Sequence, residues 1–345
     1  MIRVKILSRE GDKCWERQLP GPELTWGNCR FLLDRDDQDY DWLVVYDDLP
    51  PRKSERRSLR EEPLACPAQH TLLVTTEPSS IKSYGRAYTS QFGCVLTSQE
   101  QWALPHPDRI YSQPALRWFY GWGSDYMIPY TQLANTEPPH KNRDISMVWS
   151  GKKERYTWHR QRYEFMSRIR RALPQLEVYG RGVRELDDKA EALDNYRYHI
   201  AIENHVGLHH WTEKLADPFL GFALPFYYGC PNVEEYFPPE SLIQIDINDF
   251  DGALNTIVTA IENNEYEKRL PYILEARRRV LEEYNLIAVL SREIEKRHSL
   301  SIRQPEGDGI LRSRHALRKK HPLAGLQQIY EKTRSRLIYM LRHKG

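Results

Sequence analysis

The sequence predicts an α/β protein of two domains, each built on a parallel sheet. Three observations carry that expectation. A length of 345 residues suits two domains at roughly 100–200 residues each. Short apolar runs alternate with longer amphipathic stretches, the rhythm of strands joined by helical crossovers. A polar, Pro-containing stretch, TQLANTEPPHKNRD over 131–144, interrupts that rhythm and reads as a linker.

In chain order, IRVKIL (2–7) alternates as a first strand, and WLVVY (42–46), TLLVTT (71–76) and GCVLT (93–97) read as buried strands. After the linker come a strand at MVWSG (147–151) and a helix over 157–173, with Phe165, Met166, Ile169 and Leu173 at core spacing. LEVYG (176–180) is a strand closed by a glycine turn. A helix is expected over 187–196, then the strand YHIAI (198–202). A helix beginning near Thr212 leads to the strand ALPFYYG (223–229). LIQID (242–246) is another strand, 250–263 another helix, and 265–298 is charged and helical. The domains expected are 1–135 and 145–300, followed by a tail, 311–345.

Composition excludes several classes. The start, MIRVKILSREGD, lacks the apolar core of a signal peptide, and no window approaches eighteen uncharged apolar residues. Five scattered cysteines form no CxxC pair, which speaks against zinc ribbons and fits a reducing cytoplasm. A net charge of +2 is small for a nucleic-acid binder. That charge is unevenly spread: 311–345 holds ten Lys/Arg against one Glu, leaving the rest at −7. In the tail Leu326, Tyr330, Thr333, Leu337 and Leu341 share one helical face, with Lys332 and Arg336 away from it. Such a helix suits an anionic membrane surface, as a peripheral contact, or docks on its own protein with a solvated basic face.

The chemistry gathers at WTEKLADPF, 211–219. Thr212 can cap a helix that starts at Glu213. A helix N-terminus offers free N–H groups and partial positive charge to a phosphate. Lys214 adds a full charge, and Glu213 can accept hydrogen bonds from sugar hydroxyls. Together they make a nucleotide-sugar site; by itself the tripeptide also fits a capped helix with both charges solvated.

The longer pattern, YRYHIAIEN…TEKLADPFLGFALPFYYGCPNVEEYFPPESLIQIDINDF (196–250), resembles the donor-binding domain of the glycosyltransferase family 10 fucosyltransferases. EVYGRG (177–182), RWFYGWGSDYMIPY (117–130) and LLVTTEPSS (72–80) are similar to further segments of that family, so the likeness runs over about 70–260. The resemblance implies the GT-B fold, two Rossmann-like domains facing across a cleft. It implies an inverting, metal-independent transfer of fucose from GDP-fucose to a glycan hydroxyl, with α-1,3 linkage to lipopolysaccharide or another surface glycan. In that reading Glu213 binds the ribose, Lys214 the diphosphate, and Asn204 helps position the donor; Glu77, after a strand of the N-terminal half, is the catalytic base. No cofactor is implied beyond the donor substrate, and the place is the cytoplasm, peripherally at the inner membrane surface.

Two departures mark this chain. The family's diphosphate arginine falls on His159, with Arg160 beside it; Arg160 is preferred, and His159, Arg155 and Arg162 stay open. His210 stands where a tyrosine often precedes the Thr-Glu-Lys run, and it counts as a candidate donor contact. Asp34-Arg35-Asp36 and Asp39-Tyr40-Asp41 read as solvated acids rather than metal ligands. The alternatives are a transferase of the same fold using another nucleotide sugar, and a non-catalytic glycan- or membrane-binding protein.

Overall fold

The computed structural model describes residues 1–52, 55–113, 117–149, 159–298 and 309–342, without the side chains of 159, 160 and 339–342. The chain divides into two units, 1–115 with 286–345, and 116–285.

In the first unit the β-branched and leucine-rich runs form the strands expected of them. They are β1 (Ile2–Leu7), β2 (Thr25–Trp26), β3 (Cys29–Leu32), β4 (Trp42–Tyr46), β5 (Glu61–Pro63), β6 (Thr71–Val74), β7 (Cys94–Thr97) and β8 (Arg109–Tyr111). The short helices α1 (Asp12–Glu16) and α2 (Arg86–Thr89) lie between them in sequence. Seven of these strands make one sheet in the order β2-β3-β1-β4-β6-β7-β8, parallel except for the β2–β3 pair. Leu43, Val45 and Leu73 on one face and Val44, Leu72 and Leu96 on the other are buried, the mark of a sheet covered on both faces. Lys5 is buried in β1 and tolerated because Nζ donates to Glu62 Oε1 (2.8 Å) and to the Asp37 carbonyl (2.7 Å).

The second unit holds α3 (Tyr130–Ala134), β9 (Arg143–Val148), α4 (His159–Ala172), β10 (Glu177–Tyr179), β11 (Tyr196–Ile202), α5 (Glu213–Leu220), β12 (Leu224–Tyr228), β13 (Ile243–Gln244), α6 (Phe250–Glu262) and α7 (Glu265–Glu282). Its sheet is wholly parallel, in the order β10-β9-β11-β12-β13. Phe165, Met166, Ile169 and Leu173 of α4 are buried, as their spacing predicts. Two separate parallel-sheet units are what the GT-B expectation requires of the chain.

Local details differ from the sequence reading. The stretch 131–144 is anchored inside the second unit: Leu133 is buried, and the buried Lys141 Nζ donates to the carbonyls of Leu193, Asp194 and Gly221. Proline and polar residues signal a linker, but one leucine and one lysine stem fix this segment to the core. The expected helix over 187–196 shrinks to a 3-10 turn, Lys189–Ala192. Asp188 caps it by accepting from Ala190 N, Glu191 completes the capping box, and β11 claims the chain from Tyr196.

The chain then returns to the first unit through α8 (Leu286–Arg297), β14 (Ile310–Arg312), α9 (Arg314–Lys320) and α10 (Pro322–Arg342). The tail is therefore not a separate module. β14 pairs antiparallel with β5, Leu311 opposite Glu62, and Ser313 Oγ donates to the Ser58 carbonyl at 2.7 Å. Leu311 and Leu317 join the core of Leu43, Val45 and Tyr84. Residues 310–320 dock on this unit, while α10 keeps large apolar side chains exposed. Among the described residues no helix is long and apolar enough to cross a membrane.

This arrangement predicts where truncation is tolerated. Ending the chain before β14 uncovers two buried leucines, each worth about 1.5–3 kcal/mol, against a total stability of about 5–15 kcal/mol. A chain ending at 309 is expected to unfold at markedly lower temperature, and one ending at 321 to hold its melting temperature within a few degrees. Equal melting temperatures would refute the buried role of β14.

Candidate functional site

β11 ends at Ile202 and hands the chain to Glu203, which is buried beneath the start of α5. Thr212 N–H and Oγ1–H donate to Glu203 Oε1 at 2.7 and 2.9 Å. Thr212 is extended (φ −130°, ψ −170°), and its Oγ1 accepts the Lys214 N–H at 3.3 Å, the N-cap geometry predicted for it. Trp211, fully buried, packs edge-on against Phe237 (ring centroids 4.9 Å), Tyr236 (5.5 Å) and Tyr284 (5.8 Å). That aromatic anchor fixes where α5 begins.

Lys214 Nζ sits 2.8 Å from Glu213 Oε1, 3.2 Å from Thr212 Oγ1 and 3.7 Å from Glu203 Oε2. Burial alone would lower the Lys214 ammonium, but the two carboxylates outweigh it and raise it above the usual lysine range. Burial pushes Glu213 up, yet Lys214 and Lys189 overcome this and hold it well below the carboxylate range. Glu203 stays raised, because its burial exceeds the help it gets from Lys214. The pair at the helix start is thus firmly charged.

These side chains open onto a cavity of about 200 Å³ lined by Glu213, Lys214, Arg162, Lys189, Asp217 and the end of β11, among others. Arg162, on α4, is buried and donates through Nη1 to Asn204 Oδ1. Lys189 Nζ bonds Asp217 Oδ2 at 2.6 Å, and Asp217 Oδ1 accepts the Phe119 and Tyr120 N–H groups at 3.0 and 3.1 Å. Three cations and the N-terminus of α5 therefore converge on one cavity. Lys214 now spends its charge on neighbouring carboxylates, so an entering phosphate has to compete with Glu213 for it.

The structure brings together Glu213, Lys214 and, through Arg162, Asn204. His159 and Arg160 head α4, but their side chains lie outside the described residues, as does Arg155. His210 is buried edge-on to His205 (5.0 Å) and is not part of the cavity wall; burial lowers it to about 3, so it stays neutral. Glu77 belongs to the first unit, three residues beyond β6, with its side chain exposed and its carbonyl accepting from Gln99 Nε2 at 2.7 Å. Sequence reasoning missed Lys189 and Asp217. No local signal marks Lys189, whereas Asp217 in an otherwise apolar run could have been flagged. The Asp-x-Asp runs hold structure: Asp39 and Asp41 pair with Arg3.

Residues 138–270 match the family model for "Glycosyltransferase family 10 (fucosyltransferase) C-term". The chain is 34% identical over 71 residues to the alpha-(1,3)-fucosyltransferase FucT of Helicobacter pylori, covering 20% of this chain and 15% of that protein. It is 28% identical over 126 residues to an alpha-(1,4)-fucosyltransferase of Arabidopsis thaliana, covering 30% of this chain and 31% of that protein. The matched stretch thus spans less than a third of either relative. Among solved structures, an alpha1,3-fucosyltransferase with GDP-fucose aligns over 88% of this chain and 93% of its own, with 14% identity and a TM-score of 0.47.

Proposed function

We propose that this chain, whose residues 138–270 match the glycosyltransferase family 10 model, is an inverting fucosyltransferase that moves fucose from GDP-fucose to a glycan hydroxyl. The observation that carries this reading is the capped start of α5, where Lys214 and Glu213 meet Arg162 at one cavity.

In this mechanism the diphosphate takes Lys214, Arg162 and the free N–H groups of α5, and Glu213 turns to the ribose hydroxyls. Arg162 is the arginine assigned here, in preference to Arg160 or His159, because it lines the cavity with Lys214. Asn204 holds Arg162 in place and so positions the donor indirectly. Charge fixed beforehand around the leaving diphosphate stabilises the departure of GDP without reorganisation, often the largest catalytic contribution. Glu77 accepts the proton of the acceptor hydroxyl as that oxygen attacks C1 of fucose from the face opposite the diphosphate. Side chains alone supply the charge on GDP, so transfer proceeds without a divalent ion. An α-1,3 linkage to a surface glycan such as lipopolysaccharide is the product assigned. The exposed apolar side of α10 adds a second partner, an anionic membrane surface on the cytoplasmic side.

Calorimetric titration with GDP-fucose, GDP-mannose and UDP-sugars tests the donor. GDP-fucose is expected to bind most tightly, and transfer to survive EDTA. Tighter binding of a UDP-sugar, or activity lost to EDTA and restored by Mn²⁺, would overturn the assignment.

A further inference from the structure

α10 is seated on the first unit by one side only. Gln328 Nε2 donates to the Ser83 carbonyl at 3.0 Å, Glu331 accepts the Arg86 N–H at 3.0 Å, and Ser335 is buried. The opposite side carries Leu323, Leu326, Ile329, Tyr330 and Leu337, which are 52–78% exposed. At 100° per residue these five fall within an arc of about 120°, with Thr333 inside it and no charged residue. Lys332, Arg334 and Arg336 flank the arc. A contiguous apolar stripe, unlike single exposed leucines, marks a surface with a partner.

Beside the stripe lies a groove of about 630 Å³ between Ile81–Ser83 and the helices α9 and α10. Arg314, Arg318 and Lys332 line it, and so do Leu326 and Ile329 of the stripe. Among the described residues, none of these three cations has a carboxylate within ion-pair distance of its side chain; the anion acting on the two arginines is the buried Asp48, which accepts the Arg314 backbone N–H at 3.1 Å. Arg314 Nη2 is held by the Ser83 carbonyl at 2.6 Å, but Arg314 Nε and Arg318 Nε are buried without an acceptor. Lys82, also on the wall, is committed to Asp47 at 2.6 Å. Adjacent like charges raise each other's cost, and an anion with several oxygens in the groove lowers it.

We propose that this groove binds the phosphate of an anionic phospholipid while the α10 stripe enters the acyl boundary beside it. The inference rests on the reading that α10 meets an anionic membrane, and it names the headgroup site. One bilayer satisfies both features at once, because headgroup phosphates lie directly above the layer that receives an interfacial helix. A soluble phosphate would fill the groove and leave the stripe in water. A second copy docked stripe to stripe would bring two cationic grooves together.

Co-sedimentation of the full chain with phosphatidylcholine vesicles, with and without phosphatidylglycerol, tests this. Each cation near an anionic surface is worth about fivefold in binding, so Arg318→Gln with Lys332→Gln should cost roughly 25-fold on anionic vesicles. Binding to neutral vesicles and transfer to a soluble acceptor should not change. Lys332→Gln alone, at an exposed position, should cost about fivefold and guards against misfolding of the double variant. Wild type that ignores both vesicle types overturns the membrane reading and this site with it. Variants that bind anionic vesicles like wild type overturn the groove alone. Displacement by inorganic phosphate at low concentration would make it a free-phosphate site, and self-association through Leu326 and Tyr330 would make the stripe a dimer contact; either result overturns the proposal.

Discussion

Glu77→Gln is expected to lower kcat by about 10²–10⁴-fold while leaving GDP-fucose affinity nearly unchanged. The substitution keeps the side chain's size and removes its basicity, so the loss falls on the transition state. Glu77 lies in the first unit, whereas the groups proposed to hold the nucleotide lie in the second, so its replacement is expected to leave donor binding alone. Its side chain is exposed, so the melting temperature is expected to change little. Near-normal kcat in this variant would remove Glu77 as the base. His210, neutral and buried without lining the cavity, is a poor substitute for it.

The second large effect is expected at Lys214. Lys214→Ala should weaken GDP binding at least tenfold, since a charged hydrogen bond is worth about 1.5–3 kcal/mol. It should also destabilise the protein, because Glu203 and Glu213 both lose the cation that balances them. Glu213→Ala removes a hydroxyl acceptor rather than a charge on the diphosphate, and is expected to cost less. The pH dependence follows from the directions of the shifts. Lys214 is raised, so its contribution is complete below the unfolded value and is lost only as pH rises through the still higher folded one. Glu213 is lowered, so its contribution is complete above the unfolded value and is lost as pH falls through the folded one. GDP-fucose affinity should therefore be flat between about pH 5 and 9. Unchanged GDP affinity in Lys214→Ala would sink the site.

Much of the fold was legible because it is written in local pattern. Ile200 and Phe226 in β11 and β12, Phe165 and Ile169 in α4, and the Thr212 cap announce themselves through burial periodicity and capping chemistry that involve few neighbours. The 187–196 stretch was misread because Asp188 and Glu191 close a turn there, and β11 begins sooner than the apolar run suggests.

The sequence by itself determined the strand-helix rhythm, the helix start at Thr212-Glu213-Lys214 and the family likeness, since each depends on residues close in the chain. Only the tertiary structure shows Arg162 and Lys189 lining the same cavity as Lys214. Arg162 and Lys189 lie 52 and 25 residues before it in the sequence, and only the stacking of α4, the turn at 189–192 and α5 around β11 brings them to one place. The same holds for the tail. Its composition leaves docking and membrane contact equally open, and only the pairing of β14 with β5 shows that Leu311 and Leu317 are buried while one apolar side of α10 stays exposed. Convergence of distant side chains is a property of packing, and packing depends on every element at once.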